Sequence, residues 1–298
     1  MRIISSGNTG RSTLLLCSGF VRNIDKVVIT PLFDMIIDAH AHVSRTEYYT
    51  DPIYGKTVKA HTVDDQLRAM DEYGIDNAVV VNSWAEGEVA LSPEAVKESN
   101  EFATTVLAKK YPRLIPWALV NYCLPDAVQT LKEAIKAGCR GAKIFPLPFI
   151  PIDSEQVRPV FETANSLRIP VTIHSDSNLW YTSPWRIARI AESFPELLIL
   201  VAHIGVDHDK SFGFLESKNL QELNNLFVEL SATAMTPYLV SRACELLGAR
   251  RVVYGTDSHS FPPILGIMKV RLADLSKEET DLILGGNMAR LLELHEHE

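Results

Sequence analysis

An apolar run, Ile36-Ile37-Asp38-Ala39, leads into His40-Ala41-His42, two histidines separated by a single residue. Side chains at i and i+2 of a strand project from one face, so both imidazoles can reach a point just beyond the strand end. That is a metal-ligand geometry, and it is equally the arrangement of two partly exposed histidines at a strand terminus. His174, His203 and Asp257 each close another apolar run, which adds three candidate ligands at strand ends. Three imidazoles and one carboxylate at one point suit zinc first, with manganese, iron or cobalt as alternatives, and leave room for a water. A water held there loses a proton near neutral pH because the cation stabilises hydroxide.

Such a site needs strands whose carboxyl ends meet. Compact apolar runs read as buried strands at Met35 to Ala39, Ala78 to Val81, Leu114 to Val120 and Gly141 to Phe145. Four more follow at Pro170 to Ile173, Leu197 to Ala202, Leu226 to Leu230 and Arg251 to Tyr254. Between them lie capped helices: Thr62 before a helix to Tyr73 and Gly74, Ser92-Pro93 opening one toward Lys110, and Val128 to Lys136 ending at Gly138. Val157 to Leu167, Trp185 to Phe194 and Tyr238 to Leu247 continue the alternation. A capping box at Ser276 and Glu279 starts a helix expected to stop at Gly285-Gly286, with a short last helix from Asn287. Eight strands alternating with helices are the pattern of an α/β fold, the (β/α)8 TIM barrel, with its site on the C-terminal rim of the strands. A doubly wound open sheet fits the alternation but would not gather so many strand ends, and no G-x-G-x-x-G follows a strand. Residues 35–298 therefore read as one barrel domain, and 1–34 as an N-terminal extension that forms one short strand or stays disordered.

Length and composition agree with one large core: 298 residues, 46% hydrophobic. The net charge of -8 supplies no basic footprint, so neither nucleic acid nor an anionic membrane is an expected partner. Cys17, Cys123, Cys139 and Cys244 form no C-x-x-C pair and read as reduced thiols. The Leu14-Leu15-Leu16-Cys17 stretch is too short and broken for a signal peptide, and a cytoplasmic location is expected.

The chain resembles the amidohydrolase superfamily, specifically the amidohydrolase-2, decarboxylase-like family of metal-dependent hydrolases. The resemblance rests on Ile37-Asp38-Ala39-His40-Ala41-His42, Gly141-Ala142-Lys143-Ile144-Phe145-Pro146, His174, Ala202-His203-Ile204-Gly205, Tyr254-Gly255-Thr256-Asp257 and Gly286-Asn287-Met288-Ala289-Arg290, in the family's order. It implies that His40, His42, His174 and Asp257 bind one divalent metal. His203 would lie beside it, polarising a substrate oxygen or relaying a proton, and Asp257 would shuttle the proton of the attacking water. Taken singly, His174 also reads as a core histidine and Asp257 as a turn cap; their coincidence at matching strand ends favours a shared site.

Lys143 has two readings. As a carbamate it would bridge a second metal, as in some relatives; as an amine it would pair with a substrate carboxylate or a neighbouring acid, and the unmodified amine is the reading we favour. Phe145 stands where the family often has histidine, and Ser258-His259 where an aromatic and a proline are frequent. Rim loops carrying Trp84, Trp180, Trp185 and Arg186 are candidates for substrate binding, with loop packing as the plainer role of the tryptophans. The long segment with Lys56, Lys59 and His61 is a candidate lid, and His295 and His297 read as a solvated tail. The expected activity is hydrolysis of an amide, lactone or ester bond of a small, carboxylated or cyclic molecule by metal-bound hydroxide. A metal-dependent decarboxylase of an aromatic or unsaturated carboxylic acid is the nearest rival, and a barrel without chemistry the more distant one. The resemblance also suggests a homodimer.

Overall fold

The computed structural model describes residues 35–50, 56–82, 92–145, 150–175, 180–205, 218–231, 236–258 and 261–293. Residues 1–34 separate from 35–298 as a unit of their own and, like Trp84, His295 and His297, lie outside the described residues. The short strand expected of the N-terminal extension lies there too.

Strand β1 (Ile37–Val43) is followed by an antiparallel hairpin of β2 (Tyr48–Thr50) and β3 (Thr57–Lys59), so the segment expected as a lid begins with regular pairing. Then come β4 (Asn77–Asn82), β5 (Leu114–Pro116), β6 (Ala118–Val120), β7 (Ala142–Ile144), β8 (Val171–Ile173), β9 (Ile199–Val201), β10 (Leu226–Glu229) and β11 (Val252–Val253). Parallel ladders run β1-β4-β5 and β6-β7-β8-β9-β10-β11. The run Leu114 to Val120, expected as one strand, is two pieces. Pro116 has no N–H to donate, and the chain changes partner around Trp117, whose N–H goes to Val80 O at 3.1 Å while Ala118 N–H goes to Gly141 O at 2.9 Å. β5 and β6 thus form one barrel position that joins the two ladders. At the other seam, Ala39 N–H donates to Tyr254 O (3.0 Å), Asp257 N–H to His40 O (2.7 Å) and His42 N–H to Ser258 O (2.9 Å), which ties the first strand to the last. The chain is a (β/α)8 TIM barrel.

The helices form where local chemistry specifies them. Thr62 accepts the Asp65 N–H while the Asp65 carboxylate accepts the Thr62 N–H, and Ser276 and Glu279 do the same farther on. The helix opened by Ser92-Pro93 reaches Lys110 as expected, through a wide turn at Ala103–Leu107. One expectation needs correction: the last helix does not stop at Gly285-Gly286 but runs through a similar turn, Leu282–Gly286, into Asn287–Leu291. Gly285 is there for close approach: a Cβ would sit 2.3 Å from Met35 O, at the entrance to β1. The helix Pro263–Arg271 escaped the sequence reading because Ile264, Leu265, Ile267, Met268 and Val270 surround it instead of forming a stripe. Ile37, Val79, Ile115, Trp117, Leu119, Leu200, Phe227 and Val253 join strands from around the barrel in one buried cluster.

Candidate metal centre

β1 holds His40 and His42 with both rings buried, 2% exposed each. The last strand delivers Asp257: its Oδ1 lies 3.0 Å from His42 Nε2 and 3.7 Å from His40 Nε2. Asp257 reaches that point from left-handed backbone at φ +55°, pinned by its own N–H on His40 O. Burial works to raise its carboxyl pKa, but the His42 hydrogen bond and the charges of His40, His42 and His203 hold it well below the usual carboxylate range. The candidate ligand atoms of His40, His42 and Asp257 all lie within 4.8 Å of one another. Donors bound tetrahedrally at about 2.1 Å stand roughly 3.4 Å apart, so this nitrogen and oxygen set fits one divalent cation with a small contraction.

His174 follows β8 and donates its backbone N–H to Ile144 O at 3.2 Å. Its ring stacks near Phe145, centroids 5.0 Å apart, and its Nδ1 lies 3.2 Å from His203 Nε2. Burial, then the charges of His203, Lys143 and His40, push His174 well below the ordinary histidine value. His203 lies two residues beyond β9, where it and Ile204 take φ values of 61° and 60°. Left-handed backbone is rare for a β-branched residue and costs about 1–2 kcal/mol, strain typical of a residue held for a purpose. Burial and the His40 charge bring His203 down to about 4, so it is neutral at neutral pH. Both of its ring nitrogens are engaged, Nδ1 by Ser231 and Nε2 by His174. Its geometry therefore orients a neighbouring imidazole more directly than it addresses a substrate oxygen. Lys143, from the middle of β7, is 1% exposed and donates Nζ to His40 Nε2 at 2.6 Å.

The sequence reading missed Glu229 and Ser231. Glu229 ends β10 with no exposed surface and accepts from His40 Nδ1 at 3.0 Å. Burial raises its pKa, yet the hydrogen bond from His40, the charges of His40 and His203, and the Ser231 bond overcome this and bring it down to about 2. The available signal was an acid inside the apolar run Leu226-Phe227-Val228-Glu229-Leu230. Gly255 exists for this carboxylate, since a Cβ there would fall 2.1 Å from Glu229 Oε1. Asp38 is also fully buried and accepts from His40 N (3.0 Å), Thr256 N (3.0 Å) and Thr256 Oγ1 (2.6 Å). Burial pushes it up to about 7 against those bonds. It fastens the seam that carries Asp257.

Arg186 is held by other protein groups. Its guanidinium binds Asp153 at 2.6 Å and the Trp180 carbonyl at 2.8 Å, and stacks over the Trp180 ring at 5.4 Å. Asp153 takes Arg189 as well, at 2.9 Å. The expected aromatic slot with a cation is thus, for Trp180 and Arg186, a pair closed on itself. His61, in the segment expected as a lid, is half-buried and bonded to Gln66 at 2.9 Å.

The amidohydrolase family model Amidohydro_2 matches residues 37–294, and the chain belongs to that family. It is an enzyme of the amidohydrolase type. The fold is similar to that of 5-carboxyvanillate decarboxylase LigW from Sphingomonas paucimobilis, with a TM-score of 0.70 and 15% identity over 88% of this chain and 99% of that one. A dihydroxybenzoic acid decarboxylase from Polaromonas sp. JS666, with bound manganese, matches at TM-score 0.70 and 18% identity over 87% and 97%. A probable 2-pyrone-4,6-dicarboxylic acid hydrolase from Acinetobacter baumannii matches at TM-score 0.61 and 19% identity over 87% and 99%. No curated protein matches by sequence. Among the described residues, no helix is long and apolar enough to cross a membrane.

Proposed function

We propose that the chain hydrolyses an amide, lactone or ester bond of a small carboxylated or cyclic molecule, with His40, His42, His174 and Asp257 holding one divalent cation, zinc in the first instance. The observation that carries this reading is the convergence of His40, His42 and Asp257 from opposite ends of the barrel sequence. A cation bound there supplies a Lewis acid that polarises a carbonyl and acidifies water. Asp257, kept ionised by the histidines around it, accepts the proton of the attacking water and returns it to the leaving group. Lys143 places a hydrogen-bond donor beside His40, which favours a substrate bearing a carboxylate. His203 orients His174.

Decarboxylation is the second reading. It is supported by the decarboxylases of aromatic acids among the structures of like fold and by the Phe145 ring beside His174, which offers a wall to a planar acid. Untagged protein, stripped with chelator and reconstituted with zinc or manganese, is to be assayed on lactones, amides and aromatic acids with product analysis. Metal-dependent release of an acid from a lactone or amide supports hydrolysis, and release of carbon dioxide without bond hydrolysis supports the lyase. No affinity for any divalent ion refutes both.

A further inference from the structure

We propose that Glu229 and Ser231 are positioning residues that set the proton positions on the site's imidazoles, leaving His40 Nε2 and His174 Nε2 without hydrogens, as ligation of a cation requires. The inference rests on the metal reading above. Glu229 accepts the backbone N–H groups of Ser231 and His203, the latter at 3.4 Å, and the Ser231 hydroxyl at 2.6 Å. Amides only donate, so the carboxylate is an acceptor throughout, and His40 Nδ1 at 3.0 Å must bring the hydrogen to it. Lys143 Nζ only donates and lies 2.6 Å from His40 Nε2, so that nitrogen, which also faces Asp257, carries no hydrogen.

His203 Nδ1 lies 3.3 Å from Ser231 O, which can only accept, and 3.0 Å from Ser231 Oγ, whose one hydrogen goes to Glu229. Nδ1 of His203 carries the proton, so Nε2 accepts from His174 Nδ1 at 3.2 Å. That leaves His174 Nε2 bare as well. His40, His203 and Glu229 also form a group able to hold a cation, but Ser231 Oγ lies 3.1, 3.0 and 2.6 Å from His40, His203 and Glu229 and fills the space between them. The group is a second layer of hydrogen bonds behind the ligands, a role that fixes ring orientation and raises donor strength.

The test begins with long-range proton–nitrogen NMR on metal-free wild-type protein labelled with nitrogen-15 histidine. His40, His203 and His174 are expected as Nδ1–H tautomers, and a His40 that carries its proton on Nε2 overturns the proposal. Glu229→Gln then presents an amide to His40, and zinc affinity measured by chelator competition is expected to fall about 10–100-fold while circular dichroism stays native. A folded variant whose affinity falls less than tenfold overturns the proposal. If this variant does not fold, the wild-type tautomers decide. If wild-type protein binds neither zinc nor manganese, the metal reading fails, and the tautomer measurement still judges this inference separately.

Discussion

Replacing Gly255 with alanine tests the packing behind the site without changing the identity of a candidate ligand. The new Cβ would lie 2.1 Å from Glu229 Oε1, 2.8 Å from its Cδ and 3.1 Å from His40 Cβ. Ordinary contact needs about 3.3 Å or more, so the carboxylate must retreat by roughly 1 Å, enough to break some of its hydrogen bonds. Forcing a methyl into a packed core costs about 1–3 kcal/mol. Losing a buried hydrogen bond to a charged group costs about 1.5–3 kcal/mol more. The expected loss is about 2.5–6 kcal/mol, a large part of the roughly 5–15 kcal/mol that holds a domain together. Urea unfolding of the metal-free protein, followed by tryptophan fluorescence, should show a lower midpoint with an unchanged slope. A loss below about 1 kcal/mol would mean that Glu229 does not occupy the place described, and the reasoning about the imidazoles behind it would fall with it.

Asp257→Asn removes the proton acceptor while keeping an oxygen near His42, so turnover should fall by about 100-fold or more with much of the metal still bound; normal turnover excludes the shuttle role. His203, brought down to about 4 by burial and His40, stays neutral in the native metal-free protein while the unfolded chain takes up a proton near 6.5. Its contribution to stability is therefore complete above 6.5 and lost as the pH falls toward 4; an NMR titration midpoint of 6 or higher for His203 contradicts this. Arg186→Ala breaks the Asp153 pair and the Trp180 stack, with an expected stability loss of about 1 kcal/mol and KM nearly unchanged. A tenfold rise in KM at unchanged stability restores Arg186 as a substrate contact.

Local features were readable from the chain directly. The capping boxes at Thr62 and Ser276 involve residues three apart, and the apolar runs around the barrel are consecutive, so neighbours in sequence carry the whole signal. His40 and His42 were visible for the same reason. Glu229 was not, because its partner His40 is 189 residues away and a carboxylate in a strand reads equally as an exposed edge position. Arg186 read as a rim cation because nothing nearby in sequence reveals Asp153, 33 residues earlier, as its partner.

By itself the sequence determined the alternation of strands and helices, the barrel that follows from it, and the types of donor available at the strand ends. Tertiary structure alone decided which nitrogen meets which oxygen. The closing seam brings Asp257 to His42, and the buried Glu229 turns His40 so that its Nε2 meets Lys143. Strand patterns depend on local burial and repeat every two residues, whereas ring orientation depends on hydrogen bonds that exist only once the barrel has brought remote strands within about 3 Å of each other.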